Sequence, residues 1–348
     1  MKKVCLFTGS ADSFNLKMST DNFGKMLSDE YILDVVTTGH DIFNSEYFNL
    51  YKKVEEDTYK GEFKALNSYL SKNSPDAVLQ INRPPKHGNL CGVLSKRHKV
   101  PFVYRYSGDR FYEYTLSTGL KKWLVFCLSN IYGRIPLHLA DRYIVLGPKG
   151  YDRLTKRGVN EDKISVLPPP IDLSRFRDYG KRGKEALPQD KNIVLFVGRM
   201  SWFKGIDRME KAIPKAIDKR EDLHFVFVGG NKELNVPEKY DEDATVEGEV
   251  PPNEVPQYFN EADVLVHPSR TEGLPRVILE SLATETPVIA SDVGEIPSVT
   301  DNIFTSNEEL VDMICRFEEL PVDDVEKYSC TELKKSYVEF LKKITNEG

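Results

Sequence analysis

Residues 266–297 read VHPSRTEGLPRVILESLATETPVIASDVGEIP, a strand end, a turn, a helix and a second strand within thirty-two residues. The apolar run Asp263–Val266 (DVLV) has the length and composition of a buried strand, and His267-Pro268-Ser269 breaks it at once. The loop Arg270–Leu274 leads to Pro275, whose fixed φ and missing N–H suit a first helical position, and Val277, Ile278 and Leu282 give the helix an apolar face. A helix N-terminus at the carboxyl end of a strand presents unsatisfied N–H groups and a positive dipole end, which suits an anion such as phosphate. Glu272 lies on the loop before this helix and Glu280 one to two turns inside it. Eight positions apart, they cannot share one small ligand atom, but they suit hydroxyls at two ends of an extended ligand with a phosphate between. Read alone, the same glutamates serve equally as a loop charge and a solvated helix face.

The segment HPSRTEGLPRVILESLATETPVIAS resembles the donor-site signature of the GT-B glycosyltransferases, specifically their large family 4 of retaining enzymes. Residues 192–205, NIVLFVGRMSWFKG, resemble the family's other signature, a strand ending in Gly-Arg with Lys-Gly a few residues on. Order and spacing match, and a weaker likeness runs over residues 166–300. The resemblance implies that Arg199 and Lys204 contact the diphosphate of a nucleotide-sugar donor, Glu272 the transferred sugar and Glu280 the ribose. It places Gly198, Gly230, Val250, Gly273, Leu274, Arg276 and Val277 around the same donor. It further implies a hexosyl transfer with retention, on one face of the sugar and without a covalent enzyme intermediate, to a glycan or lipid-linked acceptor in polysaccharide biosynthesis. Gly294-Glu295 stands where the family often has Gly-Gly, and Gly9 stands alone where it often has paired glycines.

At 348 residues the chain exceeds one comfortable core, so two domains are expected. With 40% apolar and 29% charged residues it has an ordinary globular composition, and a net charge of −6 argues against a dedicated nucleic-acid binder. Five widely spaced cysteines without a CxxC pair indicate neither a disulfide framework nor a zinc site, which fits a reducing cytoplasm. The start MKKVCLFTGS carries too few apolar residues for a signal peptide and reads as a first strand, and no stretch approaches the roughly twenty apolar residues that span a bilayer.

Along the first half, Val4–Phe7, Tyr31–Val36, Ala77–Ile81, Phe102–Tyr106 and Tyr143–Leu146 read as short strands separated by segments of helical length such as Phe63–Leu70. In the second half Asn192–Val197, Leu223–Val228, Ala244–Glu247, DVLV and Pro287–Ala290 alternate with helices such as Ile206–Lys219. Alternation of this kind gives an α/β fold of two Rossmann-like, doubly wound domains, here expected to face each other across a cleft with ligands at the strands' carboxyl ends. The Pro-punctuated connector from Val166 sets the boundaries: an acceptor domain over 1–170, a donor domain over 171–320, and a terminal helical segment over 321–348 that, by the resemblance, packs back on the first domain. Asn307–Glu318 and Asp323–Lys343 read as the last helices, with Asp323-Asp324 as a helix start.

In the first domain, Thr8-Gly9-Ser10 is a turn whose backbone N–H groups suit a phosphate, or equally a tight turn without a ligand. Asp109, in the loop after FVYRY, occupies a position where the family often carries an acceptor-side or catalytic polar residue; a turn-forming Asp after Gly108 is the plain alternative. The DxD at Asp241-Glu242-Asp243 sits in a polar loop rather than after a strand, and Arg199, Lys204 and the helix N-terminus can neutralise a diphosphate, so neither a metal nor another cofactor is expected. Residues 120–140, LKKWLVFCLSNIYGRIPLHLA, are read as a buried helix of the first domain, although a helix lying in an anionic membrane interface carries the same run. The span 121–184 holds fourteen Lys and Arg against six Asp and Glu, a local +8 that leaves −14 on the rest and suits an anionic donor or a peripheral contact with the inner membrane face. Two further readings use the same fold: a non-catalytic nucleotide-sugar binding subunit, and another GT-B chemistry such as epimerisation.

Overall fold

The computed structural model describes residues 1–9, 14–37, 45–53, 58–108, 111–177, 187–188, 190–230, 234–251 and 253–346. The chain divides into two compact units, Met1–Pro170 with Tyr328–Gly348, and Ile171–Lys327.

The first unit is built on the strands β1 (Lys2–Gly9), β2 (Tyr31–Thr37), β3 (Leu50–Lys53), β4 (Ala77–Gln80), β5 (Phe102–Tyr106), β6 (Arg142–Val145) and β7 (Ile164–Val166). They form one parallel sheet in the order β3-β2-β1-β4-β5-β6-β7. Helices α1 (Phe14–Leu27), α2 (Tyr59–Asn73), α3 (Pro84–His98), α4 (Gly119–Asn130), α5 (Ile135–Leu139) and α6 (Pro148–Thr155) supply the crossovers, and α12 (Cys330–Asn346) returns to this unit. The sheet is covered on both faces, so its central strands are apolar throughout rather than alternating. One face holds Cys5, Phe7, Leu66, Tyr69 and Phe102; the other holds Val4, Leu6, Phe23, Leu33 and Leu79, packed with Tyr337, Leu341 and Ile344 of α12. The Tyr337 hydroxyl donates to the carbonyl of Pro168 at 2.9 Å, which satisfies the polar tip of a buried aromatic and ties α12 to the end of the segment after β7.

The second unit follows the same logic. Strands β8 (Asn192–Val197), β9 (Leu223–Val228), β10 (Ala244–Gly248), β11 (Val264–His267), β12 (Val288–Ser291) and β13 (Ile303–Phe304) form a parallel sheet ordered β10-β9-β8-β11-β12-β13. Helices α7 (Ser174–Arg177), α8 (Ile206–Ile217), α9 (Val255–Glu261), α10 (Arg276–Ala283) and α11 (Asn307–Cys315) belong to it. The winding reverses between β8 and β11, so the loops after these two strands flank the switch point where doubly wound sheets bind ligands.

Three expectations need correction. The run 120–140 is not a buried helix: α4 lies on the surface with Leu120 87%, Trp123 68%, Leu124 62% and Leu128 52% exposed, while its buried residue is Ser129. Asp323-Asp324 does not start the last helix. Asp324 Oδ1 accepts from the Glu326 N–H at 2.9 Å, and α12 begins after Ser329, whose hydroxyl accepts from the Glu332 N–H at 3.1 Å, the two residues having the Ser-x-x-Glu spacing of a capping box. Pro275 precedes α10 instead of occupying its first position; with φ −73° and ψ 123° it is the cap residue, and its carbonyl accepts from Ile278 N–H at 3.3 Å.

Candidate functional site

The loop after β8 is shaped by glycines, required at Gly198 by its positive φ and at Gly230 and Gly205 also by close approach of neighbouring backbone. Gly198 has φ +145° and donates its N–H to the Val228 carbonyl at 2.9 Å, which turns the chain out of the sheet and leaves Arg199 exposed. A Cβ on Gly230, at the end of β9, would lie 2.9 Å from the Met200 nitrogen and 3.3 Å from Arg199 Cα, so Gly230 lets this loop close down on its neighbour. The chain then makes one 3-10 turn, Trp202–Lys204, and reaches Gly205 at φ +77°. A Cβ on Gly205 would lie 2.0 Å from the Pro268 carbonyl oxygen. That close approach brings the loop after β8 onto the loop after β11.

The consequence is an ion pair between residues 68 apart: Lys204 Nζ lies 2.5 Å from Glu272 Oε1. His267 Nε2 reaches the same oxygen at 3.0 Å, and Ser269 Oγ lies 3.1 Å from that ring nitrogen. Burial alone pushes the Glu272 carboxyl up, but the hydrogen bond from His267 and the Lys204 charge outweigh it and hold the group at about 2. Glu272 is therefore a carboxylate at any ordinary pH, able to accept hydrogen bonds but not to donate one.

Gly273 and the buried Leu274 carry the chain into α10. In its first turn the Ile278 N–H is taken by the Pro275 carbonyl at 3.3 Å, and the positive end of the helix dipole lies at this turn. Val277 and Arg276 are half-buried on its first turn, and Glu280 lies one turn on. Burial pushes the Glu280 carboxyl above its ordinary range, opposed by Arg276 and Arg175. Burial also lowers Arg276, which Arg175 reinforces and Glu280 opposes. Val250 follows β10 and is half-buried; the Gly229 N–H donates to the Gly248 carbonyl at 2.6 Å, tying the β9 and β10 loops together.

Two further contacts fix this arrangement, and the sequence signals only one of them. Arg270 grips Asp207, at the start of α8, through both carboxylate oxygens at 2.7 Å, and donates to the Trp202 carbonyl at 2.5 Å. This pairing holds the Asp207 carboxyl below its ordinary range. Gly294, at φ +56°, lets the chain pass where a Cβ would lie 2.3 Å from the Gly273 oxygen and 2.5 Å from that of Glu272, and the Glu295 N–H donates to the Gly273 carbonyl at 2.7 Å. Pairing across 63 residues leaves no local trace, whereas Gly294 was visible as half of a motif.

Three further expectations concern Gly9, Asp109 and the triplet Asp241-Glu242-Asp243. Gly9 ends β1 in the first unit at φ +60°, and a Cβ there would meet the His87 ring at 2.3 Å. His87 is fully buried and its Nε2 lies 3.1 Å from Glu62 Oε1, which gives Gly9 a packing reason of its own. Asp109 lies outside the described residues. Of the acidic triplet, Asp241 and Glu242 are exposed and Asp243 pairs with Lys191 at 3.5 Å; among the described residues no group of three potential ligands gathers to hold a metal.

Residues 191–318 match the family described as glycosyl transferases group 1. Over 141 residues the chain is 38% identical to the putative teichuronic acid biosynthesis glycosyltransferase TuaC of Bacillus subtilis, covering 39% of this chain and 35% of that protein. It is 27% identical to the phosphatidylinositol N-acetylglucosaminyltransferase GPI3 subunit of Saccharomyces cerevisiae over 288 residues, 78% of this chain and 60% of the other. The chain thus spans between a third and two thirds of the length of these relatives. Among solved structures, Anabaena HepE in complex with UDP-glucose superposes over 100% of this chain and 99% of its own with a TM-score of 0.66 at 14% identity. At that identity the likeness establishes the fold.

Proposed function

We propose that this chain, a GT-B protein of the group 1 (family 4) glycosyltransferase type, transfers a hexose from a nucleotide-diphosphate sugar to a glycan or lipid-linked acceptor with retention of configuration. The observation that carries the reading is the Lys204–Glu272 contact of 2.5 Å beside the first turn of α10. It sets a cation for a phosphate, a carboxylate for sugar hydroxyls and a helix N-terminus within one small region, on two loops held by Gly205 and Arg270.

On this reading the diphosphate takes the Lys204 ammonium and the exposed Arg199 guanidinium as counter-charges, with the α10 N–H groups as donors. Glu272, released from Lys204 and still held by His267, accepts from the sugar hydroxyls, and Glu280 accepts from the ribose. The C1–O bond to the diphosphate breaks with its electron pair on the leaving oxygen, and the acceptor oxygen bonds C1 on the same face. The acceptor's proton passes to the departing phosphate. Arg199, Lys204 and Arg276 bring three positive charges toward the diphosphate and the charge growing on the leaving oxygen, and on this reading they take the part a metal would otherwise play. GPI3 and TuaC are named for glycosyl transfer, which supports the reaction class, and HepE holds UDP-glucose, which supports a nucleotide-sugar donor.

The test is a proton NMR time course with UDP-, GDP- and ADP-hexoses and simple glycan or lipid-linked acceptors. Release of nucleoside diphosphate with an α-linked product from an α-linked donor is the expected result. An inverted product, or turnover unchanged in Arg199→Ala, contradicts the mechanism.

A further inference from the structure

The surface of the first unit carries a helix with its main apolar stripe turned outward. In α4 the exposed side chains Leu120, Trp123, Leu124, Cys127 and Leu128 recur at spacings of three and four, which places them on one stripe. Ile131 (64% exposed) and Ile135 (43% exposed) extend the apolar surface beyond the helix. The side turned toward the first unit carries the partly buried Val125 and Phe126 together with Ser129, the one buried residue of the helix, and Asn130, which donates to the Phe111 carbonyl at 3.0 Å, so the larger apolar stripe is the one facing outward. A surface helix of a water-facing protein shows the opposite pattern. Trp123 is braced by Phe126, whose ring lies 6.1 Å away, and Phe126 in turn by Tyr114 at 5.1 Å, so the aromatic end of the stripe is a packed cluster.

Charge points to what covers this stripe. Between Glu113 and Asp141 the sequence has no carboxylate, while Lys121, Lys122 and Arg134 are exposed on α4 and the turn after it. A second copy laid on the same patch would bring cations against cations with no carboxylate between them. An anionic lipid surface supplies what is missing: phosphate and glycerol head groups at the level of the lysines and acyl chains for the leucines, with Trp123 at the boundary.

We propose that α4 and the turn after it form a membrane-docking surface that seats the protein on an anionic bilayer. The helix is too short to cross a bilayer and lies in the plane of the interface, and no helix among the described residues is long and apolar enough to span. The inference stands on this surface alone and does not depend on the donor assignment.

The test uses the full chain and vesicles of phosphatidylcholine, pure or with about one third phosphatidylglycerol. Co-sedimentation at low salt should be at least ~10-fold stronger on the anionic vesicles and should weaken with added salt. In a Trp202→Phe background Trp123 is the sole tryptophan of the two in the chain, and its emission should shift to the blue on those vesicles. The double variant Leu124→Glu with Leu128→Glu should lose vesicle binding while keeping the wild-type melting temperature and nucleotide-induced stabilisation, because both side chains are exposed. Absence of wild-type binding to anionic vesicles overturns the proposal, as does undiminished binding by the double variant. A concentration-dependent dimer that the double variant dissociates, without vesicle binding, assigns the patch to a second copy instead.

Discussion

Replacing Glu272 by Gln removes the charge at the centre of the donor cluster and keeps its shape. In the folded chain the carboxyl is held at about 2 against an ordinary value of 4.5, because Lys204 at 2.5 Å and His267 at 3.0 Å overcome the burial cost. At about 1.4 kcal/mol per unit, that difference is worth ~3 kcal/mol to the folded state at neutral pH. The sign follows from the depressed folded value: the stabilisation is fully present above ~4.5 and is lost as pH falls toward ~2, with roughly 2 of the ~3 kcal/mol gone by pH 3. A unit of this size loses ~2–4 °C per kcal/mol. Gln keeps an acceptor oxygen, so Glu272→Gln should melt ~5–10 °C below wild type at pH 7, with a gap that narrows to a few degrees near pH 3. Differential scanning calorimetry of both proteins from pH 3 to pH 8 reads this directly. Equal stability at pH 7, or a gap of the same size at both ends of the range, refutes the pairing and with it the link between the two loops.

Other outcomes follow from the same geometry. Arg199 is exposed, so Arg199→Ala should leave the melting temperature within about 1 °C of wild type while cutting turnover by ~10²–10³-fold, as loss of one charge-stabilising donor does. Gly205→Ala must move Pro268 away from a Cβ that would lie 2.0 Å from its oxygen, in a backbone conformation unfavourable to alanine by ~1–2 kcal/mol; both stability and nucleotide-induced stabilisation should fall in thermal shift. Because burial raises Glu280 whereas Glu272 is lowered, nucleotide binding should weaken on acidification before the Glu272-linked stability is lost, and Glu280→Gln should remove that early phase in a calorimetric pH series.

The doubly wound fold was legible because each central strand is a near-continuous apolar run: NIVLFV, LHFVFV and DVLV announce strands buried on both faces. The edges were not. LYKK of β3 is mostly polar, while ISV of β7 and IF of β13 are too short to carry a period, and they form only because a neighbouring strand offers its free backbone. The run in α4 was visible as apolar, but its direction depended on Ser129, which lies opposite Leu120 on the helix and marks the inward face. The start of α12 was marked by Ser329 and Glu332, three residues apart, while Asp323-Asp324 drew the reading upstream. In the candidate site, chemistry-bearing residues stood out by type, whereas the pieces that hold them, Arg270 with Asp207 and Gly294 under Gly273, act across distances that no local window spans.

The measurement that tests the central claim most directly is isothermal titration of the full chain with UDP, GDP, ADP and their hexose conjugates, repeated on Glu280→Gln and Lys204→Met. The account predicts saturable binding of one nucleotide class. That binding should be lost with Lys204→Met, and with Glu280→Gln it should weaken ~10-fold or more, as when a charged hydrogen-bond partner is removed. Absence of binding by every nucleotide, or equal affinity in both variants, contradicts the donor site.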